Sequence, residues 1–117
     1  MNAADRIRLR HMLDAAEEAL FIAEEGSRVS LLAVMKDIEI IGEAASKVSL
    51  ELRNAEPGVP WRDIVGMRNR LIHAYFEVEP SFVWATVSRD LPLLVIQLRD
   101  ILAREEADGT NTTQFGY

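Results

Sequence analysis

The sequence predicts an all-α protein, an up-down bundle of four or five helices, and three observations lead to this. Apolar residues recur at steps of three and four through several long segments. No segment alternates apolar and polar residues as a half-buried strand does. The length of 117 residues suits about one domain. We therefore expect one bundle over residues 1–104 and a flexible tail over residues 105–117, which has no apolar period.

Composition limits the classes of function. Apolar residues make up 49% of the chain and charged residues 27%, which is typical of a globular protein. The absence of cysteine excludes disulfides and thiolate metal ligands. With no signal peptide and no apolar segment that could span a membrane, a cytoplasmic location is expected. The net charge of −6 opposes nonspecific nucleic-acid binding, so any RNA contact must be local.

The first two predicted helices cover residues 9–23 and 31–52. Asp5 is a candidate N-cap of the first, which stops near Gly26, and Ser30 is a candidate cap of the second. Four charged residues share the polar face of the second helix: Lys36, Glu39, Glu43 and Lys47. We interpret this face as a solvated surface.

The loop "NAEPGVP" separates these helices from a third, predicted over residues 61–76. The segment "EVEPS" ends the third helix, and Ser81 can cap a fourth over residues 84–101. Pro92 lies inside the fourth helix. Because proline removes a backbone hydrogen bond and clashes with the preceding turn, we expect a kink or a break near Asp90.

The third helix contains polar groups in the segment "MRNRLIHAYF". On a helical wheel Arg68 falls in the middle of the apolar stripe, between Trp61 and Tyr75. Asn69 and His73 lie about 100° and 140° from Arg68, at the margin of that stripe. Burying a guanidinium without a partner costs several kcal/mol, so another group must face it.

Two interpretations fit this spacing. In the functional one, Arg68 holds a phosphate, His73 titrates near neutral pH, Asn69 orients it and Tyr75 lies nearby. In the structural one, the histidine is a hydrogen-bonded edge residue, the tyrosine belongs to the core, and the arginine is half of an ion pair. The spacing alone does not decide between them.

Two blocks, "IEIIGEAASKVS" and "PWRDIVGMRNRLIHAYFEVEPSFVW", resemble the HepT-like branch of the HEPN superfamily. The resemblance covers roughly residues 6–103. The family pattern R-x4-6-H-x-Y falls on Arg68, His73 and Tyr75, and Asn69 supplies the polar residue that usually follows the arginine. The connection around "EEGSRVS" is shorter than in many relatives, which concerns a loop and not the motif.

The resemblance implies an all-α homodimer in which the motif helices of two protomers meet and build one cleft. It also implies a metal-independent endoribonuclease without a cofactor, the toxin half of a toxin–antitoxin pair. The antitoxin of this branch is a nucleotidyltransferase that silences the toxin by attaching AMP to the motif tyrosine, here Tyr75.

Metal-free RNA cleavage needs a proton acceptor, a proton donor and positive charge on the phosphoryl oxygens. We therefore assign the catalytic roles to Arg68 and His73, with Asn69 and Tyr75 in support. With two protomers, the acid and the base could be His73 from each chain.

Three further residues bear on this hypothesis. Arg62 and Arg70 add local positive charge and are predicted to bind RNA phosphates together with Arg68. Glu43 is a candidate partner for Arg68, although the wheel places it toward solvent.

Two other functions remain open at this point. The chain could be a non-catalytic helical dimer that serves as an interaction module for a nucleotidyltransferase. It could also be a nucleotide-binding helper subunit of such a transferase, although the sequence has no phosphate-binding loop.

Overall fold

The computed structural model describes the backbone of residues 1–77 and 80–115 and the side chains of residues 1–71 and 80–107. Within these residues the chain is helical and has no strand, which confirms the predicted all-α class. The helices are α1 (Ala3–Ala23), α2 (Arg28–Ser46), α3 (Leu50–Ala55), α4 (Trp61–Glu77), α5 (Pro80–Arg89) and α6 (Leu91–Phe115). None of them combines the length and the hydropathy that a membrane span requires.

The first two helices form a hairpin whose turn contains Gly26 at a φ of 68°, a left-handed conformation that suits glycine. The predicted caps of both helices were wrong by three residues. The side chain of Asn2 caps α1 by accepting from the backbone N–H of Asp5 at 2.7 Å. Ser27 caps α2 in the same way, accepting from the N–H of Ser30 at 3.1 Å. Both predicted caps therefore lie in the first helical turn, where their backbone N–H groups donate to the cap side chain.

The second predicted helix is divided in two. The α2 helix ends at Ser46, and Ser49 then caps the short α3. The backbone N–H of Ser49 also donates to the buried carboxylate of Asp5 at 2.8 Å, which ties this junction to α1. Arg53 donates to the carbonyl of Ala45 at 2.8 Å and so satisfies an acceptor that the end of α2 leaves open. The break could not be predicted from the apolar spacing, because Leu52 of α3 is buried and so continues the pattern of α2.

The predicted break at Pro92 is confirmed, since α5 ends at Arg89 and α6 begins at Leu91. The α5 helix begins at Pro80, so Ser81 is a first-turn residue and not the predicted cap. The backbone of α6 continues as helix to Phe115, past the predicted domain boundary at residue 104. The flexibility of the tail stays a prediction.

The core lies where α1, α2 and α6 pack together, with α4 against α2. Side chains that are fully buried come from each of these three central helices, for example Leu9, Ile38 and Leu98. The α4 helix is thus held mainly through α2, and its outer side is left free to carry polar groups.

Candidate functional site

Among the described residues of α4, Arg68 lies toward the edge of the buried side chains, whereas the wheel predicted the middle of the apolar stripe. Its side chain is 47% exposed. The buried residues of α4 centre about 50° to one side of it; they are Trp61, Ile64, Met67 and Leu71. The wheel also counted Ile72 and Tyr75 in the stripe, and the side chains of these two residues lie outside the described residues. The guanidinium is therefore available to a ligand.

Arg68 is paired with Glu43 of α2. Its Nη1 donates to Glu43 Oε2 at 2.6 Å, and Lys47 Nζ lies 3.3 Å from the other oxygen of the same carboxylate. The sequence-based suggestion that Glu43 reaches Arg68 is thus confirmed. Because the Arg68 and Glu43 side chains are half exposed, the ion pair contributes at most about 1 kcal/mol to stability. Its main effect is to fix the direction of the guanidinium.

Gly42 makes this pairing geometrically feasible. An added Cβ at Gly42 would lie 3.3 Å from the backbone oxygen of Ile64 and 3.4 Å from Cβ of Arg68. The backbones of α2 and α4 therefore approach closely here, and the neighbouring Glu43 reaches Arg68 across the short gap. The sequence contained this signal as a glycine inside a strong helical period.

Beside this pair lies a groove of about 290 Å³ between α1, α2 and α4, which we call the Arg68 groove. Its lining residues are Arg8, His11, Lys36, Glu39, Ile40, Glu43, Ala44, Lys47 and Arg68. Four permanent cations face two carboxylates, an excess of two positive charges on a chain with net charge −6. Sequence reasoning missed Arg8 and His11, whose i,i+3 spacing on α1 was the available signal.

A second groove lies on the far side of α4, between α4, α5 and α6, and we call it the Arg70 groove. It measures about 410 Å³ and is lined by Pro60, Asp63, Ile64, Met67, Arg70, Phe82, Thr86, Arg89, Asp90, Leu91, Leu93, Leu94 and Gln97. Arg70 Nη2 donates to the backbone oxygen of Asp63 at 3.4 Å. Arg68 and Arg70, which were both predicted to bind RNA phosphates, therefore line different grooves. Arg62 is exposed on the first turn of α4, and Asn69 is exposed beside Arg68 in sequence.

His73 and Tyr75 lie on the same continuous helix as Arg68, because α4 runs to Glu77. Helix geometry puts their backbone positions about 140° and 20° around the axis from Arg68. Their side chains lie outside the described residues, so their predicted roles remain proposals.

One titratable group stands apart from both grooves. The carboxyl group of Asp37 on α2 is buried, and its Oδ2 has no hydrogen-bond partner among the described residues. Burial, followed by a hydrogen bond with Glu18 and the charge of that residue, raises the pKa of Asp37 to about 7.

Comparison with known proteins identifies the family. The family model described as Ribonuclease HepT-like matches residues 7–103, which includes both grooves and the whole of α4. No solved structure gives a significant match.

Several curated proteins are similar to this chain. A provisionally named RNase of Caldanaerobacter subterraneus subsp. tengcongensis is 35% identical over 108 residues, which is 84% of this chain and 94% of that protein. A provisionally named ribonuclease HepT of Thermococcus cleftensis is 44% identical over 62 residues, 53% of this chain and 56% of that protein. A provisionally named RNase of Methanocaldococcus jannaschii is 34% identical over 80 residues, 68% of this chain and 66% of that protein. These matches confirm the predicted class of enzyme at the level of the family, and the chain belongs to the Ribonuclease HepT-like family.

Proposed function

We propose that this chain is a metal-independent endoribonuclease that cleaves RNA through Arg68 and His73, and that it is the toxin half of a toxin–antitoxin pair in the cytoplasm. The observation that carries the proposal is the state of Arg68. The guanidinium is exposed, is oriented by Glu43, and opens on a groove with excess positive charge. A structural ion pair inside the core would instead be buried.

The chemistry follows from what metal-free cleavage requires. A base removes the proton of the RNA 2′-hydroxyl, and its oxygen attacks the adjacent phosphorus. The bond from phosphorus to the 5′ oxygen breaks, and an acid protonates that oxygen. The products are a 2′,3′-cyclic phosphate and a 5′-hydroxyl. The planar fork of Arg68 stabilises the charge that develops on the phosphoryl oxygens.

His73 is the proposed acid or base, since an imidazole exchanges protons near neutral pH. Asn69 orients it or a phosphate oxygen, and Tyr75 lines the site. One histidine cannot easily serve both steps at once, so a homodimer that brings together two copies of His73 supplies acid and base. Arg62 and Arg70 make secondary phosphate contacts outside the Arg68 groove.

We further propose that a nucleotidyltransferase antitoxin silences the toxin by attaching AMP to Tyr75. The backbone positions of Tyr75 and Arg68 lie within about 20° of each other around the axis of α4. An added phosphate would therefore compete with RNA for Arg68, and activity would be lost without unfolding. Tyr75→Phe should escape this inhibition, and mass spectrometry should detect one AMP on the wild type only. Full silencing of Tyr75→Phe by a catalytically intact antitoxin would contradict this step.

The first test compares purified wild type with His73→Ala and Arg68→Ala on total RNA in excess EDTA. We expect cleavage by the wild type alone, with cyclic-phosphate ends. Cleavage by all three proteins would point to a contaminating nuclease, and the assignment to Arg68 and His73 would be wrong.

One observation favours a second function, a non-catalytic helical dimer that serves a nucleotidyltransferase as an interaction module. Leu93 and Ile96 on α6 are 58% and 63% exposed, as in many partner-binding surfaces. The same EDTA experiment discriminates, because this alternative requires that the wild type leave RNA intact while still binding its partner.

A further inference from the structure

We propose that the Arg68 groove is a binding track for single-stranded RNA. In this track Arg8 and His11 of α1, Lys36 of α2 and Lys47 at the end of α2 hold phosphates that flank the bond to be cut. The inference rests on the proposed function, since it extends the substrate contacts away from the motif helix. It assigns a role in binding to α1, which carries none of the motif residues.

Arg8 is the strongest indication. Its side chain is only partly exposed, yet among the described residues it has no carboxylate at ion-pair distance and donates no hydrogen bond. A guanidinium that no carboxylate neutralises is free to bind an external anion. Other cations of the groove do have a carboxylate partner, because Lys36 Nζ lies 3.7 Å from Glu39 Oε2 and Lys47 Nζ lies 3.3 Å from Glu43 Oε1. A phosphate is the anion that Arg8 fits best, through the planar fork of its side chain.

The groove has the length that a strand requires. Lys36 lies on α2 and Lys47 follows its last residue, about three turns further along, which places them about 16 Å apart along the helix axis. Arg8 and His11 line the opposite wall from α1, one turn apart. Arg68 closes the groove on the α4 side, where the scissile phosphate is expected. The track therefore runs from the reaction centre across two helices.

The groove also favours the backbone of RNA over its bases. Among the described residues its apolar lining is aliphatic, from Ile40 and Ala44, and the imidazole of His11 is the one ring beside four permanent cations. Recognition by phosphates alone is tolerant of sequence and depends strongly on salt. We therefore expect weak sequence preference from this part of the site.

The test measures binding separately from cleavage. A fluorescent single-stranded RNA with 2′-O-methyl groups throughout cannot be cut, because the attacking hydroxyl is blocked. Its affinity for the full-length protein is measured by anisotropy over a range of NaCl concentrations. The variants are Arg8→Gln and Lys36→Gln. The matched controls are Arg10→Gln and Arg99→Gln, which remove the same charge from exposed positions outside the groove.

We expect each groove variant to weaken binding by about three- to tenfold and to lower the salt slope by about 0.7, the value for one lost phosphate contact on a single strand. The controls should stay within about twofold of the wild type. Arg8→Lys should recover part of the affinity, because it restores the charge without the planar fork, and this separates a loss of charge from a folding defect. Equal binding by the groove variants and the controls would overturn the proposal. It would also be overturned if poly-glutamate displaced the wild type from RNA as readily as poly-uridine does.

The outcomes also distinguish this inference from the proposed function. Cleavage of unmodified RNA in EDTA, together with unchanged binding by the groove variants, would refute the track and leave the enzyme intact. Weakened binding by the groove variants, together with no cleavage by the wild type, would support the track and refute the ribonuclease.

Discussion

The two grooves on either side of α4 differ in charge more than in size. The Arg68 groove has two excess positive charges, whereas the Arg70 groove balances Arg70 and Arg89 against Asp63 and Asp90. The Arg68 groove is the smaller, at about 290 Å³ against about 410 Å³. The larger volume would favour the Arg70 groove as a binding site for a polyanion. The excess of positive charge favours the Arg68 groove instead.

The difference also concerns how each arginine is held. A neighbouring helix fixes Arg68 through a carboxylate, which leaves part of the guanidinium free to bind another anion. Among the described residues, Arg70 donates to a backbone oxygen of its own helix. Two arginines separated by one residue thus have different surroundings, because α4 turns them about 160° apart.

The largest expected effect is on cleavage by arginine variants. Arg68→Ala should lower kcat by about 10²–10³-fold, since it removes the charge that stabilises the phosphoryl oxygens in the transition state. Arg68→Lys should recover little, because lysine lacks the planar fork. Arg70→Ala should lower kcat only a fewfold. Single-turnover kinetics on a labelled RNA would measure this, and equal losses at the two positions would remove the distinction between the grooves.

The second effect is on stability at two helical glycines, Gly42 in α2 and Gly66 in α4. Gly42→Val should lower the free energy of unfolding by about 1–3 kcal/mol, because the side chain would collide with the Ile64 carbonyl and separate α2 from α4. Gly66→Ala is the matched control, since its Cβ would meet only the end of the Arg70 side chain at 3.9 Å. It should gain up to about 1 kcal/mol from helix propensity. Urea denaturation would measure both, and a stable Gly42→Val would show that the close approach is not required.

A third effect depends on pH and concerns the α1–α2 pair that carries the Arg68 groove. The pKa of Asp37 is about 7 when folded, against 3.8 as the ordinary value. Between these values the folded state keeps a proton that the unfolded state releases, so the free energy of unfolding falls as pH rises from about 4 to 7. Asp37→Asn should remove this slope and stabilise the protein by about 1 kcal/mol at pH 8, because an amide can donate to Glu18 at any pH.

Urea denaturation at pH 4 and pH 8 measures this effect. Asp14→Asn is the control, as its exposed carboxylate pairs with Arg10 on the surface of α1. An equal pH dependence in wild type and Asp37→Asn would show that Asp37 is already ionised in the folded protein at low pH.

The smallest effect is expected at Glu43. Glu43→Gln should lower kcat by about two- to fivefold, since Arg68 loses an orienting pair worth at most about 1 kcal/mol. RNA binding should tighten, because a negative charge leaves the groove. Asp63→Asn in the Arg70 groove should change neither quantity. An unchanged kcat in Glu43→Gln would mean that substrate alone orients Arg68.

The sequence by itself determined the helical class, the break at Pro92 and the motif helix. These depend on local periods and on the covalent limits of proline, which act within a few residues along the chain. It also placed Arg68, Asn69, His73 and Tyr75 on one helix, which α4 confirms for the backbone.

Only the tertiary structure decided how those helices share their charges. The exposure of Arg68 and its pairing with Glu43 depend on the distance between α2 and α4, which Gly42 allows to be short. The inclusion of Arg8 and His11 in the same groove depends on how α1 packs on α2. A helical wheel contains neither distance, because it describes each helix without its neighbours, and the charge of a groove is a property of several helices together.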